Sequence, residues 1–146
     1  MSHLRQQIRE RIASNLTGLT TTGTNVFQSR IYPMEQGKLP GLIIYTVAEQ
    51  SQPITSGVNR TMDASLTVAV EAYAVGSNLD DKLDTICKEV QVKMASDRTI
   101  NNLAMESQLD STTIDFAQDS DTPAGYVTLT WTINYQFFEN TPEVAL

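Results

Sequence analysis

The stretch Arg60–Ala95 (RTMDASLTVAVEAYAVGSNLDDKLDTICKEVQVKMA) constrains the fold more than any other part of the chain. Met62, Ala64, Leu66, Val68, Val70 and Ala72 fall on one parity, and Asp63, Ser65, Thr67, Glu71 and Tyr73 on the other. Side chains of a strand point to opposite faces in turn, so this is a long strand with one dry face. Gly76-Ser77-Asn78 ends the alternation. Ser77 suits a helix cap, and Asp80 and Asp81 fall in the first turn, where free backbone N–H groups favour negative charge. The apolar spacing then turns helical, through Leu79, Leu83, Ile86, Cys87, Val90 and Met94. With so short a turn between them, the helix must fold back over the strand's apolar face. Strand, turn and helix are one unit, and the other segments complete its sheet.

Upstream, Leu4, Ile8, Ile12 and Leu16 recur at helical spacing, which predicts an amphipathic helix starting near Ser2 and stopping before Gly18. Arg5, Arg9 and Arg11 form a basic helix face that is either solvated or turned to an acidic partner. Leu19–Asn25 reads as a loop and Val26–Tyr32 as a short strand with Phe27 and Ile31 on one side. Pro33–Pro40 is a loop whose Gly-Lys pair lacks phosphate-loop spacing. Gly41–Val47 (GLIIYTV) is apolar on both parities, the pattern of a central strand covered on both faces. Ala48–Asn59 reads as a long connection carrying Ile54 and Val58 near its tip.

Downstream, Asp97–Leu103 reads as a helical turn or linking loop. Glu106–Phe116 has strand composition, but Leu109 and Ile114/Phe116 fall on opposite parities, which a bulge near Ser111 reconciles. Gln118–Gly125 is a turn. In Tyr126–Phe138 one face is Val127, Leu129, Trp131, Ile133, Tyr135 and Phe137; the other is Tyr126, Thr128, Thr130, Thr132, Asn134 and Gln136. The second face carries no charge, which fits either the ordinary preference of threonine for strands or a surface buried against another subunit. The order α-β-β-β-α-β-β predicts an α+β two-layer sandwich: a mostly antiparallel mixed sheet of about five strands covered by two main helices. Residues 1–146 form a single domain, with a folded core over 1–138 and a flexible tail over 139–146.

Chemistry is scarce. The single histidine, His3, sits in the first helical turn, so no serine or cysteine nucleophile gains a well-placed base. The single cysteine, Cys87, occupies a core-facing helical position, excludes an internal disulfide and is expected to be inert. Asp80, Asp81 and Asp84, and separately Asp119 and Asp121, are acidic groups whose ordinary roles are capping and turns; no complete metal-ligand pattern accompanies them. No cofactor motif appears, so the expectation is a protein that is not an enzyme, with no cofactor. A net charge of −7 argues against nucleic-acid binding, and no apolar run reaches membrane-span length. Residues 1–73 carry six Lys/Arg and five Asp/Glu, residues 74–146 four and twelve. That asymmetry suits either simple solubility or a subunit that meets different neighbours at its two ends.

Four features, in order along the chain, carry a resemblance: the amphipathic opening LRQQIRERIASNL; Leu39-Pro40-Gly41-Leu42-Ile43-Ile44-Tyr45-Thr46 followed by a long loop and the strand DASLTVAVEAYA; the helix opening at Ser77 with Leu79-Asp80-Asp81; and an Asp-rich hairpin ending in YVTLTWTINYQF. Together they resemble the tail terminator proteins of long-tailed bacteriophages, the phage lambda minor tail protein U group. The resemblance implies a virion protein made in the host cytoplasm. Such proteins form a homohexameric ring on the head-proximal end of the tail tube, stop tube growth and provide the head-joining surface. The partners it implies are further copies of the chain, the tail tube protein and a head–tail connector or neck protein. On that expectation Gln52, Ile54, Val58, Asn59 and Arg60 form a tube- or neighbour-contact loop, and Thr128, Thr130, Thr132, Asn134 and Gln136 a subunit interface. Other readings stay open: another neck, tail-completion or head-closure protein, a small peptide-binding module, or a carboxylate–metal hydrolase.

Overall fold

A computed structural model describes residues 1–28, 39–117 and 123–146. Helix α1 is Leu4–Leu16 and α2 is Leu79–Ala95; the strands are β1 (Val26–Phe27), β2 (Gly41–Pro53), β3 (Thr61–Val75), β4 (Glu106–Ala117) and β5 (Ala124–Phe138). They form one mixed sheet in the order β1-β2-β3-β5-β4, antiparallel except where β1 runs parallel to β2. The α+β sandwich and its element order are as expected. The far part of the expected 26–32 strand, most of the Pro33–Pro40 loop and most of the Gln118–Gly125 turn lie outside the described residues.

Both helices pack on one face of the sheet. Leu66, Val68, Val70 and Ala72 of β3, with Val127, Leu129, Ile133 and Tyr135 of β5, meet Leu4, Ile8, Ile12 and Leu16 of α1 and Leu83, Ile86 and Val90 of α2 in a single core. Helix α1 lies toward β1 and β2 and α2 over β3 and β5, which leaves β4 at the rim. The strand expected at the centre, Gly41–Val47, is second from one side, and the central strand is β3.

Beneath α1, the wholly buried Tyr135 donates its hydroxyl hydrogen bond to Glu49, whose other carboxylate oxygen lies 2.7 Å from Arg5 Nη1. Burial and the Glu49 carboxylate raise the Tyr135 pKa, in that order, so the phenol stays a donor.

Two helix starts differ from expectation. His3, not Ser2, caps α1, and its Nδ1 accepts from the Arg5 N–H at 3.0 Å. Asn78, not Ser77, precedes α2 in a left-handed conformation (φ 56°) and makes no side-chain cap bond. From α2 to β4 the chain reverses through Ile100, Asn101 and Asn102, all left-handed at φ 50°, 55° and 64°. A β-branched residue resists that conformation, but Ile100 is wholly buried and Asp97 accepts from the Asn101 N–H at 2.9 Å. The last residues, expected as a tail, contact the fold at several points. Pro142 O accepts from Leu4 N–H at 3.0 Å, Glu143 O from Gln7 Nε2 at 2.8 Å, and Gln136 O from Leu146 N–H at 3.1 Å.

Replacing Leu129→Ala, at the centre of the buried face, should lower stability by roughly 2–5 kcal/mol in chemical denaturation. The His3 cap should add an acid-side dependence. Burial and the Arg5 charge, in that order, hold the ring pKa below 6.5 against the opposing pull of Glu49 and Glu143. A lowered folded-state pKa means that the cap stabilises above the unfolded value and fades as pH falls through the folded one. His3→Asn keeps an acceptor without a titrating group, so its melting temperature should change less than wild type between about pH 7.5 and pH 5.5, in an effect of about 1 kcal/mol or less.

Candidate assembly surfaces

The expected long connection between β2 and β3 is mostly strand. Pairing continues from Gly41↔Tyr73 to Pro53↔Met62, with Val47 as the extra residue where the register shifts between Thr46 and Ala48. Apolar alternation vanishes after Val47 because Glu49 meets α1 through Arg5 and the residues from 50 to 59 are exposed, so no apolar side chain is required there. β5 accompanies β3 to Thr61↔Phe138, so the part that reaches beyond the sheet is a short arm, the β2–β3 tip over residues 54–60, and every residue from Ser51 to Asn59 is exposed. Ile54 is half-exposed and Val58 fully so. Ile54 N–H donates to Thr61 O at 2.9 Å, and Thr61 N–H to Thr55 Oγ1 at 2.8 Å, which closes the tip.

The five arm residues separate into two groups. Gln52, Ile54 and Val58 face solvent. Asn59 and Arg60 are engaged at the arm's root: Asn59 Oδ1 accepts from Asn140 N–H at 3.2 Å, and Arg60 grips Glu139 with two bonds, of 3.2 and 2.6 Å. These contacts fasten the exit of β5 to the start of β3.

Thr128, Thr130, Thr132, Asn134 and Gln136 line the sheet face away from the helices, half-buried by their neighbours. Because β5 is an interior strand, they form part of a face and not an edge. Adjacent strands change its chemistry. Asp63 accepts from Gln136 Nε2 at 3.1 Å, and Asp110 accepts from the Thr132 hydroxyl. Glu71 accepts from Tyr45 and Tyr73 hydroxyls at 2.5 and 2.6 Å, Tyr73 stacks on Tyr126 at 5.2 Å, and Tyr126 donates to Asp115 at 3.2 Å. Strands β1 to β5 hold no Lys or Arg and six carboxylates: Glu49, Asp63, Glu71, Glu106, Asp110 and Asp115. The two helices, in contrast, carry six Lys/Arg against five Asp/Glu. The asymmetry visible along the chain becomes one between layers. On the face away from the helices Glu106 is paired with Arg98 at 2.6 Å, and the excess of carboxylates over cations makes it the wrong surface for phosphate backbones.

The basic helix face also separates. Arg5 turns to Glu49 and Arg9 to Gln28 (3.2 Å), both on the β1–β2 flank, whereas Arg11 turns to Asp97 at 3.5 Å beside the end of α2. Asp80 and Asp81 lie in the first turn of α2 as expected. No cluster of metal-ligating side chains occurs among the described residues, and Asp119 and Asp121 lie outside them. Cys87 is buried, and burial, then the Asp84 charge, push its thiol up to about 11, which makes it a poor nucleophile.

One surface escaped the sequence reading as a site. Strand β4 has the expected bulge, with Asp110 as the extra residue between Leu109↔Trp131 and Ser111↔Thr130. Its side chains from Asp110 to Phe116 are all exposed, Ile114 and Phe116 among them. Ile114 pairs with Val127 and Phe116 with Gly125, so both share the helix-side face, with Phe116 near Leu79 at the start of α2, yet both stay about half exposed. The two parities of Leu109 and Ile114/Phe116 were the available signal.

Among solved structures, a chain of the virion of a native gene transfer agent particle matches 92% of this chain and 92% of its own, at TM-score 0.40 and 9% sequence identity. No curated protein matches the sequence. A family model described as phage minor tail protein U matches residues 3–135. The chain thus belongs to the phage minor tail protein U family, a family of structural phage tail proteins.

Proposed function

We propose that this protein is the terminator of a phage tail, a non-enzymatic subunit whose ring sits on the head-proximal end of the tube. There it blocks further addition of tube subunits and presents a surface to the head–tail connector. The observation that carries this reading is the arm: in a phage tail protein, the hydrogen-bonded tip of the β2–β3 hairpin projects past the end of β5 and holds Ile54 and Val58 in water. Apolar side chains at the tip of a hydrogen-bonded arm suit contact with a protein neighbour better than permanent exposure. The tube is the neighbour assigned to it. Gln52 adds a polar contact, while Arg60 and Asn59 hold the arm's root in place. The uncharged row Thr128–Gln136 and its acidic borders supply a second, polar surface for contact within the assembly.

Loss of a terminator gives overlong tails, whereas loss of a head-closure protein leaves tails of normal length beside unjoined heads. Electron microscopy of particles made without this protein separates the two. Changing Ile54→Ser together with Val58→Ser should leave the unfolding free energy within roughly 0.5 kcal/mol of wild type, as exposed positions do. The same change should yield overlong tails. Normal tails joined to heads would remove the arm from the mechanism.

A further inference from the structure

Resting on the ring reading, we infer that neighbouring copies meet through opposite flanks of the sandwich, the acidic rim strand β4 of one copy against the basic α1–β2 flank of the next. Strand β4 is twelve residues long and pairs on one side only, with β5. Among the described residues no strand lies on its outer edge. The bonds made by its N–H groups outside the sheet are local, Ser107 to Glu106 at 3.2 Å and Phe116 to Asp115 at 2.8 Å. Long edges left open invite a further strand or chain, and soluble proteins usually protect them with lysine or proline. β4 has neither. From Asp110 to Phe116 both of its faces are also exposed, so burial within this chain does not account for that half of the strand.

Charge points to a second copy as the occupant. Asp110 and Asp115 accept from the hydroxyls of Thr132 and Tyr126, and neither has a cationic partner among the described residues. On the opposite flank, Arg9 is held by the neutral Gln28, and the half-exposed Arg5 shares Glu49. The same flank exposes Val47 at the β2 bulge, an apolar counterpart for Ile114 and Phe116. Among the described residues, β1 borders β2 only at Leu42 and Ile43. Direction agrees as well: β4 ends the sheet on one side, β2 lies next to the other side behind the two-residue β1, and the two run antiparallel, so a copy placed beside the first in the same orientation sets its β2 antiparallel to β4. Two different, complementary flanks give a head-to-tail contact, the kind that closes into rings.

The test is a charge swap read by native mass spectrometry over a concentration series, with circular dichroism to verify folding. Arg9→Glu alone and the Asp110→Arg/Asp115→Arg pair should each raise the concentration for half-assembly roughly tenfold or more, and all three changes in one chain should restore assembly. Ile114→Ser with Phe116→Ser, at exposed positions, should weaken assembly without changing the fold. Rings from wild type and equally from every variant would overturn this contact and leave the ring reading intact. Weakening by each reversal without rescue in the combined chain would overturn the pairing of these two flanks. No association of wild type, alone or with tail tubes added, would overturn the ring reading and the contact with it.

Discussion

Burial on one side of a single sheet governs this structure. β3 and β5 place an unbroken row of apolar side chains under α1 and α2, from Ala64 to Ala74 and from Val127 to Phe137. Burying a side chain the size of leucine or isoleucine is worth roughly 1.5–3 kcal/mol, so a one-residue slip, which would turn a whole row outward, is strongly disfavoured. The continuous register Thr61↔Phe138 to Val75↔Ala124 follows from this. With the helices fixed on one face, the other face, the arm and the rim strand have no helix over them among the described residues.

Those uncovered parts are the surfaces proposed for assembly. Hydrophobic burial specifies the sandwich, and what the helices do not reach carries hydroxyls, amides and carboxylates. Glu71 illustrates the arrangement, accepting from Tyr45 and Tyr73 on the open face within a cluster that contains no cation. Burial first, and then Glu71, raise the Tyr73 pKa, so the cluster keeps its protons and its geometry at neutral pH. Similarly, Arg60 and Glu139 join the base of the exposed tip to the end of β5, which fixes the tip against the sheet.

Much of the fold was legible in the chain because its signals are local. Leu83, Ile86, Val90 and Met94 repeat at helical spacing, and Val127 to Phe137 alternate without interruption, since each row meets one continuous dry surface. The β4 bulge was legible for the same reason, as a change of parity between Leu109 and Ile114. The arm was not, because Ala48–Pro53 pairs through backbone alone, and backbone hydrogen bonds leave no mark on side-chain pattern. Nor was the His3 cap, which depends on a ring nitrogen meeting the Arg5 N–H.

By itself, the sequence determined the class of fold, the two one-faced strands, the covering helices and the absence of a recognisable catalytic set, because these rest on residue identity and period. Tertiary structure decided that Arg5 and Arg9 share a flank while Arg11 leaves it, and that Asn59 and Arg60 brace the arm instead of projecting from it. It also decided that the carboxylates gather on a sheet without cations. The physical reason is that charge and hydrogen-bond partnership depend on which distant residues become neighbours. Glu49 and Tyr135, or Arg60 and Glu139, are joined only by the order of strands across the sheet.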